Sequence, residues 1–126
     1  MKQFLLILIC GLTLSIISCS KSNSPDLVDL AAKVEGTYEG SLDTGTTDYV
    51  VTQIKFTKVD ALTVQVEHLN ANPSFSKFNI SLEEITVNEI RGSKSPWLSV
   101  WKSNTTTEYI TIQNQTDGIQ FAGIKK

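Results

Sequence analysis

The sequence predicts an all-β fold, an antiparallel barrel of about eight strands preceded by one short helix, and three observations predict it. From Gly36 onward apolar and polar residues alternate with period two, the signature of a strand with one buried face. Turn chemistry interrupts the alternation at short intervals, at Asp43-Thr44-Gly45, Asn72-Pro73-Ser74, Arg91-Gly92-Ser93 and Asp117-Gly118. Between these runs almost nothing has helical period, and many short strands with regular turn signals suit a sandwich or a barrel. Eight strands can close into a barrel, which removes exposed edges, and its interior is then filled by side chains or holds one small ligand. An open sandwich is the structural alternative.

The elements follow in chain order. Lys2 supplies a short positive n-region, and an apolar stretch runs from Phe4 to Ile17. It is shorter than the roughly 20 residues of a spanning helix, so residues 1–18 read as a signal peptide. Ile16-Ile17-Ser18-Cys19 resembles a bacterial lipobox, with an aliphatic residue three before the cysteine and a small one just before it. The resemblance implies cleavage before Cys19, thioether lipidation of its sulfur and acylation of the new amine. The competing reading is an ordinary secretory signal with an incidental cysteine. The cysteine count favours the lipid, because the only other cysteine, Cys10, leaves with the leader. Without an aspartate at Ser20, enterobacterial-type sorting implies an outer-membrane address, facing the periplasm. Ser20-Lys21-Ser22-Asn23-Ser24 lacks the acidic cluster of surface-exported lipoproteins, so cell-surface display has no support in these residues.

Residues 19–25 form the lipidated cysteine and a polar tether, and residues 26–126 the barrel domain. Ser24 suits an N-cap, Pro25 the first helical position, and Asp26 the helix dipole. Leu27, Leu30, Ala31 and Val34 then share one face of a helix of about three turns, suited to plugging one barrel end. The strands place Val50, Ile54, Phe56, Val64, Val66, Phe78, Ile80 and Phe121 on one core. Phe78–Leu82 and Ile85–Val87 read as separate strands, with Glu83 and Glu84 at the hairpin tip between them. Trp97–Lys102, Thr107–Gln113 and Ile119–Lys125 complete the count.

Val34-Glu35-Gly36-Thr37-Tyr38-Glu39-Gly40 resembles the opening of a calycin, with Tyr38 where lipocalins and avidin-like barrels place tryptophan. Thr57-Lys58-Val59-Asp60 with Thr63-Val64, and Ile80-Ser81-Leu82-Glu83-Glu84-Ile85, resemble stretches of small calycin-like lipoproteins of Bacteroidetes. Phe121-Ala122-Gly123 resembles their closing strand. The resemblance covers residues 34–126, apart from 92–114. It implies a calycin-like barrel in the envelope and transfers no catalytic residue.

With 126 residues, 40 % of them hydrophobic and 19 % charged, the chain is too short for a multidomain enzyme and too apolar for disorder. A net charge of −2 gives no footprint for nucleic acid. His68 is the only histidine. A nucleophilic triad needs it beside a hydroxyl and an orienting acid, whereas its place at a strand end reads as a surface histidine. One histidine and no free thiol argue against a transition-metal site, and no cofactor motif is present. Glu83 and Glu84 point apart if extended, which does not suit a glycosidase pair.

The unusual stretch is Trp97-Leu98-Ser99-Val100-Trp101, apolar on both faces. The tryptophans either fill the barrel or, facing outward, form a platform for a partner or a sugar. Tyr38, Trp97 and Trp101 are therefore the candidate binding residues and Cys19 the lipidation site. The expectation is a non-enzymatic envelope lipoprotein, held to the membrane by its lipid, whose barrel binds a small ligand or a protein. Alternatives are a barrel-type inhibitor of a protease or muramidase, and an enzyme using His68.

Overall fold

The computed structural model describes residues 27–126. Cys19, the tether, and Ser24, Pro25 and Asp26 as helix starters lie outside the described residues. One helix, α1 (Leu30–Val34), precedes β1 (Gly36–Asp43), β2 (Asp48–Asp60), β3 (Thr63–His68), β4 (Phe78–Thr86), β5 (Glu89–Lys94), β6 (Trp97–Ser103), β7 (Glu108–Asn114) and β8 (Gln120–Lys125). Each strand pairs antiparallel with the next, and β8 returns to β1, so the sheet is a closed eight-stranded barrel.

Inward side chains fill the barrel. Tyr38, Leu42, Ile54, Phe56, Val64, Val66, Ile80, Ile90, Ile110, Ile112 and Phe121 form one core with Trp97 and Trp101. α1 covers one end and buries Leu30, Ala31 and Val34. The helix is shorter than its apolar spacing predicts. It begins at Leu30, where the Asp29 carboxylate accepts a hydrogen bond from Ala32 N–H at 3.0 Å. That bond, with an ion pair to Lys58, holds the Asp29 carboxyl below the usual carboxylate range, the Lys58 bond contributing most. Leu27 is consequently outside the helix and exposed. The chain leaves α1 at Glu35, whose N–H bonds to Ala31 O at 2.8 Å.

Three strand assignments change. Val50 faces solvent, 80 % exposed, and does not join the core. Gly40 pairs with Thr52 but Leu42 pairs with Tyr49, so β2 carries one extra residue here. This bulge turns Val50 and Val51 outward and Tyr49 toward the core. Phe78 is only partly buried, at the end of β4.

Second, β4 runs without interruption through Glu83 and Glu84 to Thr86, and the hairpin tip is Val87-Asn88. Third, Arg91-Gly92-Ser93 is not a turn but the middle of β5. Gly92 is there because its position faces inward: a Cβ would lie 2.3 Å from Ser99 Oγ and 3.0 Å from Ile80 Cδ1. The glycine reflects crowding inside the barrel rather than a chain reversal. The count of eight strands survives because one false strand and one missed strand offset each other.

Candidate functional site

His68 ends β3 and is buried, 4 % exposed, against the expectation of a surface histidine. Its Nδ1 accepts a hydrogen bond from Ser74 N–H at 3.1 Å, and Nε2 lies 2.7 Å from Thr52 Oγ1. Because Nδ1 accepts, the neutral ring carries its proton on Nε2 and donates it to Thr52. Burial holds the His68 pKa below its ordinary value, consistent with this neutral form. The polarity is opposite to that of a catalytic triad, where Nδ1–H is donated to an acid and Nε2 accepts from the hydroxyl. Thr52 is therefore hydrogen-bonded, not activated.

Around His68 the barrel mouth is aromatic. Phe75, from the nine residues between β3 and β4, stacks on the imidazole with centroids 5.6 Å apart. It also meets Trp97 at 4.9 Å and Phe78 at 5.7 Å, while Phe78 stacks on Trp97 at 4.5 Å. Tyr49, turned inward by the bulge, meets the other edge of His68 at 5.7 Å. The loop thus folds Phe75 back over the mouth as α1 covers the opposite end. Asn114 organises the neighbouring β7–β8 turn: its Oδ1 accepts from Thr116 and Asp117 N–H.

The three candidate binding residues are all inside. Trp97 is 8 % and Trp101 4 % exposed, so the tryptophans fill the barrel rather than form an outer platform. Tyr38 is fully buried, meets Phe56 edge-on at 5.3 Å, and donates its hydroxyl proton to Val34 O at 2.8 Å. Burial, reinforced by the Glu108 charge, pushes the Tyr38 pKa well up, so the hydroxyl stays a donor. Tyr38 and Trp101 therefore belong to the helix end of the barrel and Trp97 to the mouth.

What sequence reasoning missed lies on the outer wall. A depression of about 610 Å³ crosses β6, β7, β8, β1 and β2. Leu98, Val100, Thr111, Ala122, Ser41 and Val50 line it from the outward face, with polar Gln113, Gln120, Asp43 and Asp48 at one end. Register aligns its floor, since Val100 pairs with Thr111, Thr111 with Ala122, and Ala122 with Ser41. Small side chains at Ser41 and Ala122 leave the groove between larger neighbours. The signal was present in the two apolar faces of Trp97–Trp101: with the tryptophans inside, Leu98 and Val100 must face out.

Among the described residues no group of three or more His, Cys, Asp or Glu side chains is placed to hold a metal ion. No protein-family model matches the chain, and neither the curated proteins nor the solved structures yield a match.

Proposed function

We propose that this chain is an envelope lipoprotein, tethered through Cys19 to the outer membrane on the periplasmic side, whose calycin-like barrel is a non-enzymatic binding module. The observation that carries the reading is the contrast between a barrel filled by its own side chains and an outer wall with an apolar groove of about 610 Å³. A packed interior leaves the wall as the surface for a partner, and exposed apolar ground of this kind marks interaction sites. The hydrogen-bond polarity at His68 supports a binding role over a hydrolytic one. The inhibitor alternative calls for a projecting barrel-end loop, whereas residues 69–77 turn Phe75 inward.

Two measurements test the proposal. Cys19→Ala should move the protein from the membrane to the soluble fraction with its fold unchanged. A variant that stays membrane-bound through repeated washing refutes the tether. A photocrosslinking side chain at Thr111, on the groove floor, should give defined adducts in intact envelopes, while one at Asn79, outward on β4, should not. Equal adducts from both positions refute a binding role for the groove.

A further inference from the structure

The helix end of the barrel combines apolar exposure with the attachment point of the chain. Leu27 and Val28 precede α1, Val59 lies near the end of β2, Leu62 in the β2–β3 turn, and Ile85 and Val87 at the end of β4 and in the turn after it. All six are exposed large hydrophobic residues, Val87 at 70 %. They sit on neighbouring elements. Ala31 N–H bonds to Ala61 O at 3.0 Å, Leu82 N–H bonds to Leu62 O at 2.8 Å, and Lys33 reaches Glu84 at 3.9 Å. The loops at the opposite end are mostly polar by contrast, as in Thr44-Gly45-Thr46-Thr47, Asn70-Ala71-Asn72-Pro73-Ser74 and Gln115-Thr116-Asp117-Gly118, with Leu69 an exposed apolar residue among them. On the helix end itself the β6–β7 turn, Asn104–Thr107, is polar too. Exposed apolar side chains at this end are densest in the sector of β2 to β5, with Tyr109 on β7 and Ile124 on β8 beyond it.

We infer that this sector is a foot that rests on the bilayer, its six side chains entering the interfacial region of the membrane that holds Cys19. The inference rests on the tether reading above and deepens it. Eight residue steps separate Cys19 from Leu27, so a lipidated Cys19 keeps Leu27 within about 28 Å of the bilayer surface. Chain connectivity therefore keeps this end of the barrel within reach of the lipid. Burial of an apolar face to a depth of about 5–10 Å is the known mode of interfacial binding, and here it would add a protein contact to the attachment made by the lipidated Cys19. No helix among the described residues is long and apolar enough to cross a membrane. Of the charges next to the foot, Asp29 pairs with Lys58 and Lys33 with Glu84, while Asp60 accepts only the Leu62 N–H, so among the described residues no unpaired cation stands beside the foot to attract lipid phosphate. The contact is accordingly apolar, and it does not require anionic lipid.

The test uses a single introduced thiol, since the lipid of the mature protein blocks Cys19. Val87→Cys on the foot and Thr46→Cys at the far end are labelled with an environment-sensitive fluorophore. The mature protein is placed on phosphatidylcholine vesicles that contain brominated lipid. The Val87→Cys label should shift to the blue and be quenched, while the Thr46→Cys label should stay water-like. Water-like emission from both labels, in protein recovered with the vesicles, overturns the foot and leaves the tether standing. Recovery of unlipidated protein refutes the tether instead. A second measurement does not need the lipid. Cys19→Ala protein bearing the Val87→Cys label should partition weakly onto the same vesicles, insensitively to salt. Adding Val59→Lys and Leu62→Lys should lower that partition about tenfold. Unchanged partition in the lysine variant overturns the foot.

Discussion

Replacing Tyr38 by Phe and by Ala separates packing from hydrogen bonding at the helix end of the barrel. The ring is fully buried against Phe56, and its hydroxyl serves one acceptor, Val34 O, at the last residue of α1. Tyr38→Phe removes that bond and leaves a buried carbonyl short of a donor, a loss of about 1–2 kcal/mol. Tyr38→Ala removes the ring as well. Deleting a buried aromatic side chain costs about 3–5 kcal/mol, and the edge-on pair with Phe56 adds about 0.5–1.5 kcal/mol. The alanine variant should therefore lose about 4–6 kcal/mol or more, close to the whole stability of a domain at the lower end of the usual ~5–15 kcal/mol. Urea denaturation, followed by the fluorescence of Trp97 and Trp101, measures both losses, and an unchanged dependence on urea confirms that the unfolded state is the same. Equal losses from the two substitutions would refute the packing argument and assign the effect to the hydroxyl. No loss from either would refute the placement of Tyr38 in the core.

Two further outcomes are expected. His68 has a lower pKa folded than unfolded, so the unfolded chain takes up the proton first. Stability should be at its full value above about pH 6.5, fall as the pH drops below it, and level off at the folded-state value. His68→Gln should flatten that segment of the urea-stability profile, and an unchanged slope would show that His68 does not cause it. Gly92→Ala, whose Cβ would crowd Ser99 Oγ and Ile80, should cost about 1–3 kcal/mol by thermal or urea melting. Adding Ser99→Gly should recover part of the loss, and additive losses in the double variant would contradict the contact.

The period-two pattern made the barrel legible because it reports a property of each strand alone, which face is buried. It located Ile54, Phe56, Val64, Val66 and Ile80 correctly. It failed where pairing decides the outcome. The bulge opposite Gly40 and Leu42 reverses the expected facing of Val50, and no feature of residues 48–52 alone specifies it. Gly92 carried a turn residue's identity for a packing reason that only its partner Ser99 reveals. Asp29, which the sequence reading did not single out as a cap, caps α1 where β2 and the β2–β3 turn receive the helix, at Lys58 and Ala61 O. The tryptophans were flagged, but their direction depends on closure of the whole barrel. The outer groove is the other side of that fact, since its small floor residues come from β1, β7 and β8.

Closure of the barrel also sets an order of events in folding. Seven of the eight seams join strands that follow one another, so each can form as a local hairpin at small entropic cost. The eighth, β1 with β8, joins Tyr38 to Lys125 and Asp43 to Gln120, from opposite ends of the domain. That seam waits until the intervening sheet has curled. It is closely packed: a Cβ at Gly40 would lie within 1.9 Å of Ala122 O. Contacts made last are absent from the folding transition state, so a defect in this seam speeds unfolding and leaves the folding rate almost untouched. A substitution at Gly40 is thus expected to shorten the lifetime of the closed barrel more than it slows folding.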